Sequence, residues 1–511
     1  MNFKAFNHFN NSFQIKLIYL SLIFIFSRFF YYEFFDIKFD TWTVDVYWQF
    51  IPKEFLEKEF LNSIIFNHWQ APLLNILLGI SMKITDNYFL IIQIIYLFFG
   101  FCSFVLIYLI SKNFNFSEKN SFIISVILMI FPTTILYENH FYKEYLTFFF
   151  LLWTFYSSTA IYKYPYSAKY ILYLSFSLSF LCLTRETFHI FWAFILIFII
   201  QRNLVLKNKI LLILIFTSLT LPFYLKNLII FNKFALNTTY VYEHLNQKID
   251  YVKEMDDPNR HVKIRNFTFG SYENYQKFKK KTSQLYDVPI FTDPFTYANI
   301  LDYKYKRNIK LLNSNTLFNE VFFDVEKYRK KDFFLIVKEQ PLLILINILN
   351  SVTRHLFTSS DYFNFTKHNA DKMKFMIKIS DCIKFTPICV YDYKFNWKIN
   401  YTIDNQPFLS MDTGPLSYHE KIIYSLQYTN FFLVFLYLSI FVYLIKLLFF
   451  NKNRGNEGIL IFWLLTFVLI FTSLVVFEDG EIARHRFPFD YLCFLIFLKQ
   501  VKEYFLKKRE F

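Results

Sequence analysis

Long apolar runs, separated by short charged connections, are the dominant pattern along the chain. A helix of about 20 apolar residues crosses the hydrocarbon core of a bilayer, and several of about ten apolar runs come close to that length. These runs lie at about residues 15–30, 88–110, 121–136, 145–162, 170–183, 188–200, 210–231, 431–450, 459–477 and 487–498. The pattern predicts an all-α polytopic membrane protein with about ten transmembrane helices.

Two long polar regions interrupt the apolar runs and divide the chain. Residues 1–231 form a predicted N-terminal transmembrane module whose first outer loop is 31–75, and residues 431–511 form a predicted C-terminal one. Residues 232–430 between them are predicted to be an extracytoplasmic domain of uncertain class. Their apolar segment 333–349 is interpreted as interfacial or re-entrant, because a further span there would reverse the orientation of the C-terminal module.

Composition and charge fit this picture. The 511 residues are 55% hydrophobic and 23% aromatic, with a formal net charge of +15. In a soluble protein this charge would suggest nucleic acid, but here much of it lies in short connections, where basic residues fix the cytoplasmic side of a membrane protein. We therefore expect membrane lipids and no nucleic acid as partners, and both termini in the cytoplasm. The expected location is the plasma (inner) membrane of a bacterium.

The first outer loop combines a carboxylate with aromatic rings. Asp45 stands beside Trp42, Tyr47 and Trp48, and such flat rings stack on sugars or bases. The alternative is an ordinary solvated loop acid. Because a charge close to a bilayer is costly without a partner or a function, we expect Asp45 to belong to a site at the outer membrane surface.

A short helix along the membrane surface is predicted to follow, because Pro52 suits the first helical position and Glu54 and Lys58 are spaced to pair. Behind it, His68 returns toward the bilayer. His68 and His140 are weak metal-ligand candidates without a third partner, and ordinary hydrogen bonding is the simpler interpretation. The sequence therefore implies no cofactor; a divalent metal is not evident but is not excluded.

Two further outer loops carry acids and bases. Glu138 either has a catalytic role, caps the following helix or pairs with Lys143. Arg185 and Glu186 either form an ion pair at a helix end or contribute to a site, and Arg185 is the better candidate for the second role. Each residue alone is ordinary, but together with the first loop they form a constellation on one side of the membrane.

The motif at residues 481–488 is the most informative short stretch, because Arg484, His485 and Arg486 stand immediately before the last apolar run and Glu481 precedes them. Two arginine guanidinium groups at a membrane surface can each donate paired hydrogen bonds to the oxygens of a phosphate. The alternative is a basic cluster that holds lipid headgroups. Against that alternative, basic clusters usually accumulate on the opposite side of the membrane.

Three features together resemble the GT-C superfamily of membrane glycosyltransferases, near the protein O-mannosyltransferase and aminoarabinose-transferase branch (family 39-like). They are the acid in the first outer loop, the stretch from Tyr224 to Asn232 that ends the seventh apolar run, and the motif Glu-x-x-Arg-x-Arg-x-Pro from Glu481 to Pro488. The resemblance covers the apolar two-thirds of the chain and leaves the polar region between the two modules unmatched.

The resemblance implies a hexosyl- or pentosyltransferase that takes a sugar from a polyprenyl-phosphate donor. The acceptor would be a glycan, lipid or protein of the cell envelope, outside the cytoplasm. It also implies that Asp45 is the base and that Arg484 or Arg486 holds the leaving phosphate. Relatives often carry two adjacent acids in the first loop, whereas valines flank Asp45, so Asp40 is the alternative base.

The expected site therefore joins residues from four outer loops. Its predicted catalytic residues are Asp45 and Glu138, and its predicted donor-binding residues are Trp48, His68, Arg185, Glu481, Arg484, His485 and Arg486. The alternative function is a multi-pass transporter or lipid flippase. A transporter is expected to carry ionisable residues at mid-span and often two related halves, whereas the runs here are nearly charge-free and no repeat is visible.

Overall fold

The computed structural model describes the transmembrane modules most fully. The described residues are 11–46, 50–51, 53–58, 60–67, 70–201, 204–231, 233–237, 338, 341, 352, 367–383, 399–401, 407–409, 430–449, 457–477 and 482–509. Their regular structure is almost entirely helical, and the exception is a pair of short antiparallel strands, β1 (Ile399–Tyr401) and β2 (Pro407–Leu409). The prediction of an all-α membrane protein is confirmed in this coarse form.

The helices occur in two groups along the described chain. The first group is α1 (Asn11–Phe35), α2 (Thr43–Val46), α3 (Lys53–Lys58), α4 (Phe60–Phe66), α5 (Leu73–Ile84), α6 (Tyr88–Asn113), α7 (Glu118–Met129), α8 (Pro132–Glu138), α9 (Lys143–Lys163), α10 (Ala168–Thr184), α11 (Ile190–Gln201) and α12 (Leu206–Phe231). The second is α13 (Lys367–Ile383), α14 (Phe431–Phe449), α15 (Glu457–Phe477) and α16 (Ile482–Arg509). Every predicted span coincides with a helix or a bent pair of helices.

Helix α9 lies at the centre of the bundle. Most of its residues are buried, and α6, α10 and α16 pack along it. Two indole hydrogen bonds join the C-terminal helices to the N-terminal ones: Trp463 donates to Ser158 at 3.3 Å and Trp192 donates to Thr466 at 2.8 Å. The two modules therefore form one bundle, although residues 232–430 separate them in sequence.

The number of spans differs from the prediction. By length and composition, the described helices that could cross a membrane are Phe13–Phe35, Tyr88–Asn113, Leu206–Ile229 and Phe431–Phe449. A fifth is added if the bent pair α7–α8 counts as one span, so the count of about ten is not supported. Length is one physical reason: α11 has 12 residues and extends about 18 Å, whereas the hydrocarbon core is roughly 30 Å thick. Helices α9 and α16 are long enough, with 21 and 28 residues, but they are not apolar enough over the length of a span.

The third predicted span, 121–136, is not a single straight helix. Helices α7 and α8 meet at an angle of 62°. Pro132 occupies the start of α8, where its missing N–H is not needed, and the same residue cannot extend α7. Because α8 is buried along its whole length, the bend carries Glu138 into the interior of the bundle.

The predicted surface helix after the first span consists of two short helices, α3 and α4. Pro52, which was expected to start it, lies outside the described residues. Leu56 and Ile64 are buried, whereas Ile65 is 43% exposed. Both helices pack against α5, and each buries one of these side chains.

The region 232–430 is described mainly through α13 and the two strands. Within the apolar segment 333–349, the described residues are Lys338 and Pro341, which are helical and exposed. The extracytoplasmic domain and the re-entrant segment therefore stay predictions.

Candidate functional site

The first outer loop is joined to the corner between α8 and α9, residues 139–142, and this contact is called the loop junction below. Asp40 donates its backbone N–H to the carbonyl of Asn139 at 2.7 Å and accepts the N–H of Phe141 at 2.8 Å. Its carboxylate lies 3.4 Å from Nδ1 of His140, and both side chains are 1% exposed. Asp40 is therefore fixed through its backbone and its side chain.

Two hydroxyl groups extend the loop junction. Thr43 donates to the carbonyl of Phe141 at 2.8 Å, and Tyr32, near the end of α1, donates to Oδ1 of Asn139 at 2.8 Å. Helix α2 begins at Thr43. The backbone that carries Asp45 is consequently held against the same corner.

Below the loop junction, Glu138 forms a buried ion pair with Arg28 of α1. Nε and Nη2 of Arg28 each lie 2.6 Å from a different carboxylate oxygen of Glu138, and the hydroxyl of Tyr145 donates to Oε2 at 2.7 Å. The guanidinium also lies 4.2 Å from the ring centroid of Phe24. A bidentate pair with an additional donor compensates much of the cost of burying a carboxylate. Glu138 thus connects α1, α8 and α9.

Helix α6 leaves room for this carboxylate because residue 100 is a glycine. A Cβ at Gly100 would lie 2.2 Å from Oε2 of Glu138 and 3.0 Å from the hydroxyl of Tyr145. A glycine inside a helix costs about 1 kcal/mol relative to alanine. The close approach of Glu138 to the helix backbone explains why glycine occupies this position.

A second polar junction connects the end of the first outer loop to the loop after α10. Glu186 accepts the N–H of Ala71 at 3.0 Å and lies 3.4 Å from Nζ of Lys143, which also donates to Gln70 at 3.2 Å. Burial alone would raise the pKa of Glu186, but the charge of Lys143 and the N–H of Ala71 outweigh it and hold this pKa below the ordinary 4.5.

The lowered pKa of Glu186 predicts a pH-dependent contribution to stability. A carboxyl group whose pKa is lower in the folded state stabilises the protein above the unfolded pKa and loses that contribution as the pH falls through the folded pKa. Between about pH 5 and pH 3, the parent is therefore expected to lose more thermal stability than Glu186→Gln, which has no charge to lose. Thermal unfolding of both purified proteins at the two pH values measures this, and equal losses would contradict it.

Arg486 lies in helix α16 and not in a loop, which corrects the predicted position of the motif from Arg484 onward. Arg486 is 1% exposed. Its Nε lies 3.1 Å from Oδ2 of Asp490, and the other oxygen of Asp490 accepts the hydroxyl of Tyr437 at 2.7 Å. The pair between Arg486 and Asp490 spans one helical turn and supports the helix here.

The motif contacts α8 through an aromatic stack. The ring of Phe487 lies on the ring of Tyr137, with centroids 4.0 Å apart. Tyr137 immediately precedes Glu138 in the chain. The predicted residues Glu138 and Arg486, far apart in sequence, thus belong to neighbouring parts of the bundle.

The remaining predicted residues are described to different degrees. Arg185 is buried, and its charge contributes to lowering the pKa of Glu186. For three predicted residues the structure describes the backbone alone: Asp45, Arg484 and His485. Three more lie outside the described residues: Trp48, His68 and Glu481. The functional roles of all nine predicted site residues stay predictions.

The ion pairs differ from those that the sequence suggested. Glu138 was a candidate partner for Lys143, but it forms its ion pair with Arg28, and Lys143 forms one with Glu186. The interpretation of Arg185 and Glu186 as a simple local pair is therefore incomplete, because Glu186 also joins two separate loops. Contacts between distant helices determined these partners, and the sequence does not contain that information locally.

Sequence reasoning missed Arg28 and Asp490. An arginine inside an apolar run is itself a signal, since such a charge is costly in a membrane unless it has a partner. The partner of Arg28 lies 110 residues away and could not be identified from spacing. Asp490, in contrast, follows Arg486 by four residues, which is a visible helical pairing.

In the ranges that the structure describes, no group of three or more His, Cys, Asp or Glu side chains is arranged to hold a metal ion. His140 lies against Asp40, and its ring centroid is 6.0 Å from that of Tyr142. His140 therefore takes part in the polar and aromatic contacts of the loop junction.

Comparisons with known proteins give little further information. No family model and no curated protein matches the sequence. Among solved structures, the chain is similar to the archaeal oligosaccharyltransferase AglB from Archaeoglobus fulgidus in complex with an inhibitory peptide and a dolichol-phosphate, with a TM-score of 0.36 and 11% identity. The alignment covers 96% of this chain and 52% of that one, so the chain spans about half the length of the archaeal enzyme.

Proposed function

We propose that the chain is an integral-membrane glycosyltransferase of the GT-C type, which transfers a sugar from a polyprenyl-phosphate donor to an acceptor outside the cytoplasm. The loop junction carries the proposal: Asp40 and the backbone of Asp45 are held just beyond Phe35, where the first span ends. A general base must be held within reach of the proton that it takes. An acid fixed at the height of the membrane surface suits a donor whose lipid tail lies in the bilayer.

In the proposed reaction, Asp45 takes the proton of an acceptor hydroxyl or amine. The acceptor atom forms a bond to the anomeric carbon while the bond between that carbon and the phosphate oxygen breaks, and the lipid phosphate leaves with the electron pair. The rings of Trp42 and Trp48 stack on the sugar. Asp40, which is buried against His140, positions the loop and is the alternative base.

Arg484 is the proposed ligand of the leaving phosphate. The guanidinium of Arg486 is buried and already paired with Asp490. Two residues along an α-helix differ by about 200° in direction, so position 484 lies on another face of α16 than the buried position 486. The proposal therefore assigns phosphate binding to Arg484, and it assigns to Arg486 the role of holding α16 in place.

The function is tested by incubating purified protein in detergent or nanodiscs with polyprenyl-phosphate sugars that carry a radiolabelled sugar. The parent protein is expected to bind the lipid-linked donor saturably. It is also expected to transfer the labelled sugar to an acceptor in an envelope extract. If the parent binds none of a panel of hexose and pentose donors, the proposal is wrong.

Arg484→Lys tests the phosphate ligand separately. Lysine keeps the charge but loses the two-pronged geometry, so transfer is expected to fall by about tenfold or more while membrane insertion is unchanged. Arg486→Lys is the matched comparison and is expected to act mainly on thermal stability. Full transfer by Arg484→Lys would show that this arginine is a headgroup anchor.

A transporter or flippase is the second candidate, and one observation favours it. The apolar runs are nearly charge-free in sequence, yet Arg28 lies inside the first span and pairs with Glu138 in the bundle interior. Transporters often place ionisable residues at such positions. In proteoliposomes, movement of a lipid-linked sugar from one leaflet to the other without transfer of the sugar to an acceptor would favour this function over the glycosyltransferase.

A further inference from the structure

Helix α13 belongs to the long polar region, yet it lies against the first outer loop. Oδ1 of Asn369 accepts the backbone N–H of Lys38 at 3.0 Å, and Nδ2 of Asn369 donates to the carbonyl of Lys38 at 2.7 Å. One carboxamide therefore supplies both hydrogen bonds that a neighbouring β-strand would give to this residue. Asn369 is 1% exposed, so water does not readily replace these bonds.

Contacts with Asp36 accompany this pairing. Nε2 of His368 lies 2.7 Å from the carbonyl of Asp36, and Nζ of Lys372 lies 3.5 Å from its carboxylate. Asp36 has a φ of 48°, a left-handed conformation that aspartate tolerates better than most residues, and the chain turns here from α1 into the loop. Because these charged groups are half-exposed, the ion pairs contribute little, and Asn369 makes the principal contact.

The buried side of α13 packs on α8. Met373 and Ile377, one turn apart, are 0% and 4% exposed, and α13 lies against α8. Helix α8 ends at Glu138 and leads directly into the loop junction. Helix α13 thus contacts the first outer loop through Asn369 and the helix that holds this loop through its apolar side.

We propose that Asn369 is a positioning residue: through it, α13 clamps the first outer loop against α8 and sets the place of the acid-bearing helix α2. Asn369 acts on the loop backbone and does not touch the reacting atoms. The effect on sugar transfer rests on the proposed function, whereas the clamp itself does not.

Hydrogen exchange of the full-length protein in nanodiscs tests the clamp without any assay of activity. Asn369→Ala removes both bonds to Lys38, and exchange in peptides covering residues 36–46 is expected to become about tenfold faster. Asn369→Asp keeps the acceptor for the Lys38 N–H and loses the donor to its carbonyl, so a smaller increase is expected. Lys374→Ala, an exposed change on the same helix, is the matched control and is expected to leave this exchange unchanged.

Unchanged exchange of residues 36–46 in Asn369→Ala would overturn the clamp. If Asn369→Ala loosens the whole bundle, the milder variant Asn369→Asp decides between the two explanations. Faster hydrogen exchange of Asn369→Asp in residues 36–46 alone supports the clamp, and faster exchange that extends over α1 and α6 overturns it.

In the transfer assay, Asn369→Ala is expected to lower kcat about tenfold or more with the KM for the donor nearly unchanged. Faster exchange in Asn369→Ala, together with a parent protein that transfers no sugar, would refute the proposed function and leave the clamp standing.

Discussion

Arg28→Met is expected to destabilise the protein by about 3–5 kcal/mol, because it leaves the carboxylate of Glu138 buried without its counter-charge. Glu138 receives two hydrogen bonds from Arg28 at 2.6 Å, and its side chain is 0% exposed. Methionine fills a similar apolar volume, so the loss reports mainly the missing charge. Thermal unfolding of the purified protein, followed by tryptophan fluorescence, measures the effect.

Two controls separate this mechanism from a general effect of changing α1. Lys16→Met removes a different ion pair of α1, the one between Lys16 and Glu118 of α7. Because this ion pair is partly exposed, its loss is expected to lower the free energy of unfolding by about 1 kcal/mol or less. The double variant Arg28→Met with Glu138→Gln has no buried charge at this site and is expected to recover much of the loss. Arg28→Met as stable as Lys16→Met would contradict the buried pair as a major determinant of stability.

Asp45→Asn is expected to slow sugar transfer by about 100-fold to 10,000-fold, which is the usual contribution of a positioned general base. Asparagine keeps the size and the hydrogen bonding of aspartate and removes the basic oxygen. Binding of the lipid-linked donor is expected to stay close to that of the parent, because the base acts on the acceptor. Transfer and donor binding measured on the same preparations distinguish the two effects.

Asp40→Asn is the matched variant for this experiment. Asp40 also lies in the first outer loop, but its carboxylate is buried against His140, and we expect its loss to loosen the loop junction. Normal turnover by Asp45→Asn together with slow turnover by Asp40→Asn would move the base to Asp40. Normal turnover by both variants would exclude the first outer loop as the source of the base.

The helices were predictable because apolar runs are a local property of the sequence. Even the bend between α7 and α8 has a local signal, Pro132 at the start of the second helix. The number of spans was over-predicted, since a run such as α11 is apolar enough but too short. A pattern of hydrophobic residues indicates burial, and it does not distinguish burial in lipid from burial in protein.

The partners within the site were the least predictable feature. Lys38 and Asn369 lie 331 residues apart, and the contact depends on one carboxamide that meets a loop backbone. Arg28 and Glu138 lie 110 residues apart, and Gly100 of α6 leaves space for the carboxylate of Glu138. Such contacts depend on the packed arrangement of several helices. Sequence patterns therefore identified the loops that carry chemistry, but not the residues that hold those loops.

The indole hydrogen bonds between the modules have a consequence for biosynthesis. Trp192 and Ser158 emerge from the ribosome well before their partners Thr466 and Trp463. At about 5–20 residues per second, the roughly 200 residues between the two modules take about 10–40 s to synthesise. During this interval the N-terminal helices are in the membrane with the face for α15 and α16 still uncovered. Nascent chains arrested before α15 should therefore be recognised by membrane chaperones or proteases, whereas the completed chain escapes them.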